Sequence, residues 1–94
     1  MLGLNVTYIM KPGMREEFLR RLEEAKFRQA ALGDAGCLGY DYYRSAEDED
    51  VLLLVERWTD LQAQQAHLQQ PHMALVRSAK DACVAETRLE QYEL

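Results

Sequence analysis

The sequence has little cysteine, little proline and no cluster of basic residues. Cys37 and Cys83 are its only cysteines in 94 residues. Two are too few for a disulfide-stapled secreted domain, and no C-x-x-C or zinc spacing exists. Two reduced, buried thiols in a cytoplasmic protein are expected. Lys and Arg number 11 against 16 Asp and Glu, a net charge of −5. The basic residues are scattered, with no run longer than Arg20-Arg21. Nucleic acid and anionic membranes both demand clustered cations, so neither is an expected partner. No apolar run is long enough to span a bilayer. The opening MLGLNVTYIMKPG lacks a basic n-region and a small-residue cleavage site, so no signal peptide is expected. No phosphate loop and no G-x-S-x-G elbow occur, and Ser45 and Ser78 lie in no nucleophile context.

What is present is a globular composition, 48% apolar and 29% charged, at a length that suits one domain spanning residues 1–94. A core this small is modest, and dimerisation would help it. Leu2 to Met10 alternates as a strand, with Leu2, Leu4, Val6, Tyr8 and Met10 on one face and Asn5, Thr7 and Ile9 on the other. Lys11-Pro12-Gly13 is a turn. Phe18, Leu22, Ala25 and Leu32 then keep helical spacing, while Phe27 falls off that stripe and has no assigned place, a subunit contact being one option. Gly33-Asp34-Ala35-Gly36 ends the helix. Cys37 to Arg44 is a second strand, with Leu38, Tyr40 and Tyr42 on one face. An acidic hairpin loop follows, then a third strand from Val51 to Trp58. Thr59 and Gln62 fit a capping box, so a helix begins near Asp60. Pro71 breaks it, and a new helix lines up His72, Leu75, Val76, Ala79 and Cys83. Val84 to Leu94 reads as an edge strand.

This order, βαββαβ with a broken second helix, is the ferredoxin-like α+β arrangement: a four-stranded antiparallel sheet with helices on one face. Val51 to Val55 is apolar on both faces, and one helical layer covers only one of them. A second subunit packed sheet to sheet is the expected cover.

The chemistry-bearing residues gather near Glu56 to Met73, which holds the only Trp and both His. Glu56 and Trp58 share a strand face, which suggests either a pocket mouth or a core rim with Glu56 in solvent. Asn5 is either a pocket residue or an edge residue facing water. His67 and His72 are five apart across a proline, whereas helical zinc pairs use i and i+4, so no metal site is expected. Aromatics, an amide, a carboxylate and two imidazoles could bind a planar ring and move a proton. A sugar-phosphate isomerase should instead show a basic pocket cluster, and these candidates are aromatic and amide.

Several stretches together resemble the antibiotic biosynthesis monooxygenase family. They are Val6-Thr7-Tyr8-Ile9-Met10-Lys11-Pro12-Gly13, Phe18, Gly36-Cys37-Leu38-Gly39-Tyr40, Glu56-Arg57-Trp58, and Ala66-His67-Leu68-Gln69-Gln70-Pro71-His72-Met73. The last is very similar to a run in the bacterial quinol monooxygenases. The resemblance implies a homodimeric α+β barrel with one pocket per subunit between sheet and helices. It implies oxygenation of a quinol-type or polycyclic aromatic molecule by O₂ without flavin, haem or metal. Trp58 would pack on the ring, and His67 and His72 would border the pocket. On this basis His67, Trp58 and Asn5 are the catalytic candidates, and Tyr40, Tyr42, Glu56 and His72 the substrate-binding ones. Two departures stand out. Some aromatic-polyketide oxygenases carry Asn where this chain has Leu54. Haem-degrading relatives need a ligating His beyond the helix break, where this chain has Ala74, Leu75 and Arg77. The same fold also hosts isomerases of small carbonyl compounds and non-catalytic binding or stress-linked proteins.

Overall fold

The computed structural model describes all 94 residues. Strand β1 (Leu2–Met10) leads into helices α1 (Arg15–Glu24) and α2 (Phe27–Leu32). Strands β2 (Cys37–Arg44) and β3 (Val51–Trp58) form a hairpin. Helices α3 (Leu61–Leu68) and α4 (Met73–Cys83) return the chain to strand β4 (Val84–Glu93). The sheet order is β2-β3-β1-β4, and every pairing is antiparallel. This is the ferredoxin-like α+β fold expected from the alternation of patterns.

Register follows the hydrophobic pattern. Leu2, Leu4, Val6, Tyr8 and Met10 point one way and are all buried. On β3 their cross-strand partners, Trp58, Glu56, Leu54 and Leu52, share that face. The helices pack there, through Phe18 and Leu22 of α1 and Val76, Ala79 and Cys83 of α4. Val51, Leu53 and Val55 point to the other face, where no helix lies, and are half-buried. A one-residue slip would exchange the two sets, so the buried face fixes the pairing.

Three local expectations change. The first helix is two helices, because Lys26 adopts the left-handed conformation (φ 54°) and breaks it. The break resets the helical phase, so Phe27 leaves its off-stripe position and becomes fully buried. Phe27 is therefore a core residue rather than an exposed contact. In β2 the register shifts between Cys37 and Gly39. That irregularity places Cys37 opposite Trp58 and leaves Leu38 half-exposed, so Leu38 does not share the face of Tyr40 and Tyr42. The α3 cap is Asp60, whose carboxylate accepts from the Ala63 amide at 2.8 Å; it lies one residue beyond the Thr59 of the expected capping box.

Gly36 fixes the end of the α2–β2 turn against α3. Its φ is +81°, and an added Cβ would stand 2.5 Å from the Ala63 Cβ and 2.6 Å from the Thr59 hydroxyl oxygen. Its carbonyl also accepts from the Thr59 amide at 2.8 Å. Gly36→Ala is expected to cost about 2 kcal/mol or more, from the left-handed backbone and the clash together. A denaturant melt checks this, and a loss near zero would mean that the turn relaxes freely.

Candidate active site

The α2–β2 turn, the end of α3 and the start of α4 meet at one carboxylate. Asp34 Oδ2 lies 2.5 Å from His67 Nδ1 and 2.9 Å from His72 Nε2. An ionised carboxylate only accepts, so both facing ring nitrogens carry protons in this arrangement. The site is nearly closed: side-chain exposure is 1% for His67, 9% for Asp34 and 20% for His72. The hydrogen bond through Nδ1 is the only one the His67 ring makes, so in the neutral ring Nε2 carries the lone pair.

Aromatic rings hold that imidazole. Its centroid is 4.7 Å from the Trp58 ring and 5.6 Å from Tyr40. Phe27 lies 5.7 Å from His72 and packs edge-on to Tyr40 at 5.9 Å. The helix break at Lys26 therefore serves the site, because it delivers Phe27 to it.

Beside the imidazole the sheet supplies a second polar group. Glu56 is buried and its Oε1 accepts from the Trp58 indole N–H at 3.0 Å. Burial raises the Glu56 pKa, with the Trp58 hydrogen bond opposing the shift. Burial likewise drives the Tyr8, Tyr40 and Tyr42 hydroxyls well above the usual phenol range, and the Glu56 charge adds to each. Of the two readings of Glu56, solvent exposure is thus excluded. Because its folded pKa is raised, the neutral acid is the form the fold favours. Stability from this group is greatest below its ordinary value of 4.5 and is lost as pH rises through the folded pKa. Glu56→Gln keeps an acceptor for Trp58 and removes the buried charge. Its melting temperature should exceed that of the parent at neutral pH, and the gap should close in acid. A gap independent of pH would mean that Glu56 does not titrate in this window.

A surface cleft of about 540 Å³ opens between the α1–α2 segment and the β2–β3 hairpin. Leu19, Leu22, Leu52 and Tyr42 form its apolar lining, and Lys26, Arg28 and Arg44 add cations. None of these three cations was among the expected pocket residues. Two of them are already neutralised: Arg28 Nη2 donates to Asp41 at 2.8 Å, and Arg44 holds Glu16 at 2.7 and 2.9 Å. With Glu23 also in the lining, the cleft is amphiphilic rather than a phosphate cradle.

The expected site residues separate into three groups. His67, His72, Trp58, Tyr40 and Glu56 come together behind the sheet's helical face. Tyr42 lines the cleft, and its ring lies 5.9 Å from that of Tyr40. Trp58 and His67 do not line the open cleft, as both are buried. Asn5 is elsewhere: β1 alternation puts it on the helix-free face, where Tyr92 donates its hydroxyl proton to Asn5 Oδ1 at 2.9 Å. Asn5 is not at an edge, because β1 runs between β3 and β4; it is half-buried, and a period of two separates it from the Leu4 side of the strand. Asp34 and Phe27 were missed. Asp34 stands in a glycine-flanked turn, where Asp is ordinary, and nothing near it in sequence points to a histidine 33 residues on.

The fold and this buried polar centre define a small ferredoxin-like α+β protein with a carboxylate and two imidazoles buried beneath its helices. Residues 1–78 match the family model for antibiotic biosynthesis monooxygenase. The chain belongs to that family. Solved structures agree in fold. A Pseudomonas aeruginosa protein is 26% identical with a TM-score of 0.85, covering 99% of this chain and 93% of its own. A Bacteroides thetaiotaomicron protein of unknown function, suggested to be an oxidoreductase, is 28% identical with a TM-score of 0.84, covering 99% and 96%. A Nitrosomonas europaea protein assigned provisionally to the antibiotic biosynthesis monooxygenases is 20% identical with a TM-score of 0.88, covering 99% and 97%. No curated protein matches significantly. No helix is long and apolar enough to cross a membrane.

Proposed function

We propose that the protein is a cofactor-independent monooxygenase acting on a quinol-type or related aromatic molecule. The observation that carries this reading is the Asp34–His67 pair. A buried carboxylate fixes the imidazole through Nδ1, which leaves Nε2 as a proton acceptor inside a wall of aromatic rings. Deprotonating a phenol yields an electron-rich anion that can pass an electron to O₂. The overall reaction balances without an added reductant: a quinol and O₂ give a hydroxyquinone and water, and the substrate supplies all four electrons. The protein's part is to position the ring, take the proton and keep the anion dry.

The substrate ring lies in the cleft against Tyr42, Leu22 and Leu52, with its oxygen anion toward Lys26. Contacts from Tyr42 to Tyr40 and from Tyr40 to His67 link the cleft to the base. Oxygen uptake with a panel of quinols tests the reading, and absence of uptake with every one of them in folded protein would sink it.

The working unit is a homodimer. The helix-free sheet face presents Ile9, Val51, Leu53 and Val55, half-buried in one copy, and Tyr43 lies on it largely exposed. An apolar sheet face of this kind is a surface for a second copy of the chain. Sedimentation at micromolar concentration should give twice the 10.9 kDa chain mass. A monodisperse species at the mass of one chain would contradict the assembly.

A further inference from the structure

The carboxylate between two imidazoles is also a set of three ligand atoms. Asp34, His67 and His72 each offer one, and the three lie within 4.8 Å of one another. The geometry points to a binding site for one late first-row divalent cation of the zinc, nickel or cobalt class, held by His67 Nδ1, His72 Nε2 and an Asp34 oxygen.

Ligand bonds of about 2.0–2.2 Å place neighbouring donors roughly 3 Å apart around a four- to six-coordinate ion. The Asp34 contacts are 2.5 and 2.9 Å, and the two imidazole nitrogens lie within 4.8 Å of each other, so the His67 contact opens and the two rings close on the ion. Two imidazoles and one carboxylate favour imidazole-preferring ions over magnesium or calcium, which seek all-oxygen shells. Trp58 and Phe27 hold the rings by packing, which limits the reorganisation that binding demands. His72 is the open side, at 20% side-chain exposure. An ion enters there, and water completes its shell. The sequence spacing argued against a metal pair on one helix. The break at Pro71 removes that objection, because the two histidines belong to different elements and the third ligand comes from a distant turn.

Without the ion the same atoms are satisfied as hydrogen bonds, so the apo site is stable. Capture requires the proton on each facing nitrogen to move to the far nitrogen of its ring, with no net release from neutral imidazoles and no change of oxidation state. For His67 this exchange has a consequence that rests on the proposed function. Its lone pair passes to Nδ1 and its proton to Nε2, so the nitrogen assigned as base becomes a donor. The bound ion and base catalysis exclude each other at His67.

Tag-free, metal-stripped protein titrated with cobalt(II) tests the site. A saturable visible absorption at one ion per chain is expected, displaced by zinc and unaffected by magnesium. His72→Gln, at the partly exposed corner, should stay folded by thermal melt and bind about tenfold more weakly or worse. No saturable binding at submillimolar free cobalt or zinc, or unchanged binding in folded His72→Gln protein, overturns the site. Zinc should also inhibit quinol oxidation in proportion to occupancy. Ion binding by a metal-free protein that never oxidises a quinol would leave the site standing and defeat the oxygenase reading instead.

Discussion

His67→Gln is expected to lower quinol oxidation by about 100-fold or more while leaving the fold intact. The glutamine amide can still donate to Asp34, so the buried carboxylate keeps a partner and the turn keeps its anchor. What is lost is the basic lone pair. A neutral imidazole accepts a phenol proton through that lone pair. An amide does not. Oxygen uptake measured beside a thermal melt separates the two effects. Unchanged turnover with an unchanged melt would remove His67 from the chemistry and move attention to Glu56, the other buried proton-holding group. Tyr40→Phe adds a second cut on the same path. The ring packing against His67 stays in place while the hydroxyl is lost, so a fall in turnover with an unchanged melt would assign the hydroxyl a part in the chemistry.

Trp58→Ala is expected to cost roughly 3–5 kcal/mol of stability. The indole is fully buried, lies against His67 and donates to Glu56. Truncation opens a cavity beneath α3 and strands a buried carboxyl, which adds a desolvation cost of about 1–3 kcal/mol while Glu56 stays unpaired. For a single core of this size that is a large share of the total stability. A denaturant melt measures it directly. A loss below about 1 kcal/mol would show that the surroundings collapse to fill the space. Trp58→Phe restores much of the volume without the N–H donor and so separates the packing contribution from the hydrogen bond.

The candidate site was legible in part. Glu56-Arg57-Trp58 and the His67 to Met73 run stood out because rare side chains crowd a strand end and a helix break. Their burial did not follow from that crowding, since a Trp at the end of an apolar strand suits a pocket mouth as well as a core. The structure chose the core because β2 pairs along β3 and brings Tyr40 opposite Glu56. Asn5 shows the converse. Its strand face was correctly separated from that of Leu4, yet which face carried the helical layer's polar centre was not readable from β1 alone.

By itself the sequence determined the things that depend on near neighbours. Alternation along Leu2–Met10 and Val51–Trp58 set the strands and their buried faces, and proline set the break between α3 and α4. The order of these elements set the ferredoxin-like topology, because short connections and antiparallel hairpins leave few other arrangements. Only the tertiary structure decided what joins distant residues. The left-handed Lys26 carries no marker in its neighbours, yet it turns Phe27 into the core. Asp34 acquires its role only when α3 and α4 fold back over its turn and bring two imidazoles to one oxygen. A hydrogen bond is specified by distance and direction in space, and separation along the chain constrains neither.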